Sequence, residues 1–190
     1  KLKGLPVVTG EERGIASALS YEAKALGVVR GMPVYKIKKD FPQVIILPGD
    51  YASYAKYSQD MFAIVRRYAA AVEEYSIDEC FADLTGMRRS LRMSYQDMAE
   101  RIKRDLDTEL GMTFSVGLAP NKVLAKVASK WKKPSGLTFI PARAIESYLR
   151  DLEVGKIWGI GSQTTAYLNG QGIYTALQYA QKPKEWIEAH

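Results

Sequence analysis

Apolar residues recur along the chain at two distinct periods, and the switches between them mark out the elements. Residues 112–118 (Met-Thr-Phe-Ser-Val-Gly-Leu) alternate as a half-buried strand does. Next, Val123, Leu124, Val127, Ala128 and Trp131 recur at helical spacing, which gathers Lys122, Lys126, Lys130 and Lys133 on another face. Pro134-Ser135-Gly136 stops that helix, and Leu137 to Ile140 reads as the following short strand. Upstream, Ser94 with Asp97 three residues on has the form of a helix start, and Gly111 of its end, with Met98, Ile102, Leu106 and Leu110 as the buried stripe. Asp50 is placed to cap a long helix through about Arg67, with Tyr54, Tyr57, Met61, Ile64 and Tyr68 available to bury. Before it come a strand at residues 7–9, a short helix from Ser20 to Leu26 with Gly27 beyond, another opening at Pro33, and a buried strand from Val44 to Leu47.

From the long helix onward the order is helix, hairpin, helix, strand, helix, strand. That predicts an α+β chain built on a split βαβ, ferredoxin-like sheet with helices on one face. The opening strand of such a sheet is missing from this order. It is expected upstream of Lys1, with the Val7-Val8 segment the weaker candidate. A first residue that is lysine rather than methionine suggests a piece of something longer.

Composition narrows the chemistry. Of 190 residues 47% are apolar and 25% charged, enough to bury a core and too apolar for a disordered chain. No apolar run approaches a membrane span, so no membrane partner is expected. Cys80 is the only cysteine, which removes a disulfide framework and a multi-cysteine zinc site and suits a reducing cytoplasm. The only histidine is the last residue, His190, so a buried Ser-His-Asp or Cys-His pair is not available. Catalysis, if present, runs on carboxylates, lysines, arginines and tyrosines. Net charge is +6, and residues 111–140 carry five lysines without one acid: Lys122, Lys126, Lys130, Lys132 and Lys133. A local field of that sign suits a polyanion such as nucleic acid or a nucleotide. A solvated helix face is the plainer explanation, but the apolar stripe opposite makes this a docked helix that offers lysines to something anionic.

The most informative segment runs from Val72 to Leu84. As one strand it would be unusually long and would put Asp78 and Glu79 on opposite faces. Broken at Ser76-Ile77-Asp78, it becomes two strands of ordinary length with adjacent carboxylates at the apex, able to converge on one ion. Ile77 is a poor turn former, and a local rule broken beside two acids marks a candidate site. Two acids alone do not make a metal site; Mg²⁺ takes oxygen ligands, keeps waters and is commonly shared with substrate phosphates.

Ser76-Ile77-Asp78-Glu79, with Glu74-Tyr75 before it and Phe81-Ala82-Asp83-Leu84-Thr85-Gly86 after it, resembles the signature of the Y-family, translesion DNA polymerases. Leu2 to Val8 is similar to the family's early strand, and Ser20 to Val28 followed by Gly31-Met32-Pro33 to its fingers motif. Val116 to Lys126 through Lys133-Pro134-Ser135-Gly136 resembles its palm, and Ile157-Trp158-Gly159-Ile160-Gly161 the helix-hairpin-helix of its thumb. The five fragments stand in the family's order.

The resemblance implies small α/β fingers over residues 1–50, a ferredoxin-like palm over 51–140 and a truncated thumb over 141–190. It implies error-prone, two-metal nucleotidyl transfer past damaged template bases, in DNA repair and SOS mutagenesis. Asp78 and Glu79 would hold two Mg²⁺ ions shared with substrate phosphates. Tyr21, Lys24 and Lys133 would contact the incoming deoxynucleoside triphosphate, and Gly159, Ile160 and Gly161 would meet primer-template DNA. A sliding clamp would be recruited through regions outside this chain. Two departures stand out: lysine replaces the commoner arginine at Lys24, resembling the branch of the SOS mutagenesis polymerase subunit, and Ala18 stands where a hydroxyl is frequent, leaving Ser17 or Ser20 to substitute. The N-terminal strand with its aspartate and sugar gate, and the little finger, lie outside the chain, which is therefore expected to fold without polymerising alone. The alternatives are a polymerase-like DNA-binding scaffold without catalysis, which has no need for paired acids facing DNA, and an RNA-binding ferredoxin-like module, for which no aromatic pair is evident on the central strands.

Overall fold

Two stretches of the chain form separate compact units in the computed structural model, which describes residues 2–189. The division falls between Lys56 and Tyr57.

In the first unit, β1 (Val7–Thr9), β2 (Ala18–Leu19), α1 (Tyr21–Ala25), α2 (Val34–Asp40) and β3 (Ile45–Leu47) follow one another. β1 is central, antiparallel to β2 and parallel to β3. Val8, Ala16, Ala23, Val28, Ile37 and Val44 form its core. The Ser20 hydroxyl caps α1 by accepting the Ala23 N–H at 3.1 Å, and Gly27 leaves the helix at φ +96°, a conformation that favours glycine. β3 was expected to be buried and is only half-buried, because it forms an edge of the three-stranded sheet; Val44, just before it, carries the burial.

α3 (Tyr51–Arg66) begins with Asp50 accepting the Ser53 N–H at 3.1 Å. Of the five side chains expected beneath it, Met61, Ile64 and Tyr68 are buried, whereas Tyr54 and Tyr57 are exposed. Phe62 and Val65 complete the stripe, joined by Ile102 and Leu106. β4 (Ala71–Ser76) and β5 (Glu79–Asp83) form an antiparallel hairpin whose Val72 and Cys80 pack on that cluster. Burial pushes the Cys80 thiol up to about 11, which makes it a small core hydrophobe rather than a nucleophile. α4 (Met87–Leu91) has no counterpart in the periodicity, since none of its five residues is buried.

α5 (Tyr95–Leu110) has the expected capping box between Ser94 and Asp97 and ends at Gly111 with φ +64°. Met98, Ile102 and Leu106 are buried as expected; Leu110 is half-buried. The strand expected from residue 112 is only β6 (Val116–Leu118), because the Asp107 carboxylate takes the Phe114 N–H at 2.8 Å and ties that segment back to α5. α6 (Lys122–Trp131), capped by Asn121, leads to β7 (Leu137–Phe139), which runs parallel to β6. Gly117 lets α6 lie close on β6: a Cβ there would stand 2.1 Å from the Ala125 carbonyl oxygen and 2.3 Å from the Ser129 nitrogen. β4–β5 and β6–β7 are separate two-stranded sheets among the described residues; the element order from which a ferredoxin-like sheet is predicted likewise lacks its opening strand. No strand among them bridges the two pairs.

Beyond β7, α7 (Ile145–Arg150), a 3₁₀ turn at Val154–Lys156, α8 (Ser162–Gly170), α9 (Ala176–Ala180) and α10 (Lys184–Ala189) follow. Leu149 and Ala176 pack with Leu124 of α6, and Val154, Leu168 and Ile173 form a further cluster. No helix among the described residues is long and apolar enough to cross a membrane.

The contact between α3 and α5 has an acid-sensitive side. The Tyr68 hydroxyl donates to Asp105, and this bond holds the Asp105 carboxyl below its ordinary range. Arg67 donates to both Glu109 oxygens, at 2.6 and 2.9 Å, and lowers that carboxyl too. Lowered carboxyls contribute stability that is complete above roughly pH 4 to 4.5, the ordinary carboxylate range, and is lost as pH falls through the lowered values. Thermal unfolding should therefore vary little from neutral pH to about pH 5 and fall steeply below about pH 4. Asp105→Asn should cost ~1 kcal/mol at neutral pH and flatten the acid decline; an equally steep decline in the variant would show that this bond does not carry it.

Candidate active site at the β4–β5 hairpin

Strand alternation gives the hairpin two faces with different neighbours. One carries Val72 and Cys80 into the core, with Arg66 of α3 paired to Glu74. The other presents Glu73, Tyr75, Glu79 and Phe81 to α6 and to Trp158. The register slips between Glu74 and Ser76, so that Ser76 lies opposite Glu79 and Ile77-Asp78 forms the turn. The chain thus breaks where expected. Asp78 is exposed at the apex and accepts the Ser76 hydroxyl at 2.8 Å; Glu79 follows it, half-buried, as the first residue of β5.

The lysine face of α6 differs from expectation. Lys122 Nζ lies 2.7 Å from Glu73 Oε2, and Lys126 Nζ 2.5 Å from Glu79 Oε2. Lys126 is only 9% exposed, while Val123 and Trp131, expected in the apolar stripe, are exposed. The helix is rotated so that Leu124, Val127 and Ala128 bury together with one lysine. The cause is the hairpin, whose acids and rings receive the ammonium groups: Lys122 lies 5.6 Å from the Phe81 ring centre, and Lys126 4.9 Å from that of Tyr75 and 5.9 Å from that of Trp158. Two of the five lysines are therefore matched to protein acids and are not a free basic surface.

Tyr75, Phe81 and Trp158 form one aromatic group. Trp158 stands perpendicular to Tyr75 with ring centres 5.1 Å apart, tilted on Phe81 at the same separation, and donates its indole N–H to the Tyr75 hydroxyl at 3.3 Å. Sequence reasoning singled out none of these rings, nor Lys126, as site residues. The available signal was the alternation of Glu73, Tyr75, Glu79 and Phe81 about the turn, which puts acids and aromatics on the same face.

The donor set bears on metal binding. Among the described residues no group of three or more His, Cys, Asp or Glu side chains converges as a metal cage. Adjacent Asp78 and Glu79 fit instead the kind of Mg²⁺ site that uses one or two carboxylates and leaves the other positions to water and substrate phosphate.

The remaining sequence-derived candidates lie elsewhere. Tyr21 and Lys24 share the outer face of α1: Tyr21 is 55% exposed, which excludes a core role, and Lys24 Nζ lies 4.8 Å from its ring centre. The two hydroxyls considered as substitutes at Ala18 are both occupied within the first unit. Ser20 accepts from Val7 and Ala23 and donates to Leu5, while Ser17 donates to the Thr9 carbonyl. Lys133 is exposed on the turn after α6, beside Ser135, whose hydroxyl accepts from Lys103 at 3.0 Å.

Gly159 and Gly161 are exposed and Ile160 is half-buried against Val154, Leu168 and Ile173. Gly161 itself is the cap residue of α8, and Ser162 is the first helical residue. Its carbonyl accepts both the N–H and the hydroxyl of Thr165 at 2.8 Å. Gly159 has φ +98°, whereas Gly161 is extended, and a Cβ there would meet nothing within 4 Å. A side chain at Gly161 would thus be accepted by the fold.

Residues 1–130 match the model of the impB/mucB/samB family. The chain is 41% identical over 178 residues to DNA polymerase IV 1 of Bacillus subtilis (strain 168), covering 92% of this chain and 42% of that protein. It is 35% identical over 192 residues to DNA polymerase IV of Desulfatibacillum aliphaticivorans, covering all of this chain and 48% of the relative. A solved structure described as a Dbh ternary complex superposes with a TM-score of 0.86 at 30% identity, covering 98% of this chain and 55% of that one. The crystal structure of DinB from Sulfolobus solfataricus does so with a TM-score of 0.85, also at 30% identity, over 99% and 56%. This chain therefore spans about half the length of the relatives it matches. With the match covering most of the chain and the mixed α+β fold shared with Y-family polymerase structures, the chain belongs to the impB/mucB/samB family of Y-family polymerases.

Proposed function

We propose that this chain forms the catalytic part of a DNA-directed DNA polymerase that carries out translesion synthesis. The observation that carries this reading is the hairpin turn that presents Asp78 and Glu79 side by side, flanked by a lysine-bearing helix and an aromatic group. The similarity to polymerases named DNA polymerase IV supports it. A scaffold without catalysis would have no use for two acids at the apex of a hairpin.

In this reading residues 1–50 are fingers, 51–140 palm and 141–190 thumb. Asp78 and Glu79 hold divalent ions together with the substrate phosphates, Mg²⁺ being the natural candidate for an all-oxygen donor set. Such ions, when bound, neutralise charge on the attacking and leaving oxygens as the primer 3′-oxygen bonds to the α-phosphorus and pyrophosphate departs. Tyr21 offers a hydroxyl and Lys24 and Lys133 offer ammonium groups to the triphosphate; each lysine acts as a point charge that suits a polyphosphate. The backbone N–H groups at the start of α8, near Gly161, meet a phosphate of the duplex in the same reading, as helix N-termini commonly do.

Primer extension by residues 1–190 alone, with Mg²⁺ and all four deoxynucleotides, should be blank, since two carboxylates supply only part of a two-metal shell. In a longer chain of the length of its relatives, extension should appear and Asp78→Ala or Glu79→Ala should reduce it to background. Robust extension by residues 1–190, or an active longer chain indifferent to both substitutions, would place the active site elsewhere.

Lys133→Ala in that longer chain should raise the KM for nucleotide or lower the rate, with duplex affinity little changed. A loss of duplex binding with normal nucleotide dependence would assign Lys133 to the DNA track. Gly161→Val, which the fold has room for, should weaken salt-sensitive, sequence-independent binding to duplex. Unchanged affinity in the folded variant would remove the hairpin from the DNA contact.

A further inference from the structure

We propose that Lys126 is a resident counter-cation of Glu79: its ammonium holds the carboxylate while no divalent ion is bound, and retreats onto the faces of Tyr75 and Trp158 when one arrives. The proposal rests on the reading of Asp78 and Glu79 as metal-holding acids. It assigns to a helix residue outside the acid pair the control of when Glu79 is available.

Three observations carry it. First, Lys126 is nine-tenths buried although it sits on a helix whose Lys122 side chain is 54% exposed. A lysine is rarely withdrawn that far from water unless its charge is matched. Second, the match is to one of the two acids only. Glu79 Oε2 receives Lys126 at 2.5 Å, whereas Asp78 takes the neutral Ser76 hydroxyl. The Glu79 side chain keeps 39% of its surface exposed, so the carboxylate faces the ammonium on one side and remains open on the other. A divalent ion entering from the open side would meet a second positive charge on the same carboxylate, and the two cations compete for it.

Third, the ammonium has somewhere else to go. Tyr75 and Trp158 already lie 4.9 and 5.9 Å from Nζ, within the range of cation–π attraction. Those rings are held in place by the Trp158 indole N–H on the Tyr75 hydroxyl and by the contact of Trp158 with Phe81. The lysine stem has the rotatable bonds for the shift. A purely structural ion pair between α6 and the hairpin would need no second resting place, and a neutral hydrogen-bond donor would serve to orient Glu79. Because Trp158 directly precedes Gly159, the same movement would make metal occupancy felt at the turn leading into α8.

The test is a Mg²⁺ titration of the ¹⁵N-labelled 190-residue chain, following the Asp78 to Cys80 amides and the Trp158 indole N–H, with Mn²⁺ broadening to localise the ion. In the wild-type chain the indole resonance should shift with the same midpoint as the hairpin amides. Saturation of the amides with a motionless indole would overturn the exchange, and this measurement needs no variant to fold. Lys126→Met should bind the ion roughly 5-fold more tightly, the effect of deleting one partly screened competing charge, while Lys126→Arg, which keeps the charge, should not tighten it. Equal or weaker binding by Lys126→Met would overturn the proposal. A hairpin response that is abolished by Glu79→Gln yet indifferent to Lys126→Met would overturn the exchange and leave the acids as metal ligands. No response at Asp78 to Cys80 in either the wild-type chain or Lys126→Met would overturn the reading of the acids, and the exchange with it.

Discussion

The contact between Lys126 and Glu79 organises the middle of this chain. For the ammonium to lie 2.5 Å from the carboxylate, α6 must be turned so that a lysine is buried while Val123 and Trp131 face water. The hairpin must also present Glu73, Tyr75, Glu79 and Phe81 on the side away from its own core. Both conditions are met because β4 and β5 alternate: Val72 and Cys80 secure one face on α3 and α5, which leaves the other free for charge and rings. Gly117 makes the arrangement possible from below, since it allows α6 to settle on β6.

Stability alone does not account for such a pair. A largely buried ammonium is expensive to desolvate, and replacing an ion pair of this kind with apolar side chains is frequently neutral or favourable. The core of Met61, Phe62, Ile64, Val65, Ile102 and Leu106, with the Tyr68 hydroxyl on Asp105, supplies cohesion without it. What the pair provides is position: a carboxylate held beside a turn, next to a second carboxylate that answers to a serine hydroxyl. That arrangement is suited to an acid whose partner is exchanged during function.

The other candidate residues show how local the remaining machinery is. Tyr21 and Lys24 meet because they are three apart on a short helix, and the cap by Ser20 sets where that helix begins. Gly161 starts α8 with an extended backbone and an open approach, so crowding within the fold does not require it to lack a side chain. Gly159 is a glycine for a different reason, its positive φ.

Much was legible from the chain alone, and for a consistent reason. Caps, turns and the apolar periods of α3 and α5 are set by residues within a few positions of one another, so Ser94 with Asp97, Gly111, Gly27 and the break at Ser76-Ile77-Asp78 were all readable in order. The acid pair was readable too, because adjacency and a turn need no partner from afar. The depth of Tyr54 and Tyr57 and the free basic face of α6 were not. Which strands pair, and which way a helix is rotated, depend on groups tens of residues distant: Glu73 for Lys122, Glu79 for Lys126, Trp158 for Tyr75. Lysines at helical spacing look alike in sequence whether they face solvent or a carboxylate. Sequence periodicity determined that a helix with lysines follows the hairpin; only the tertiary structure decided that one of those lysines belongs to Glu79, because an ion pair is specified by both ends and the sequence presents them 47 residues apart.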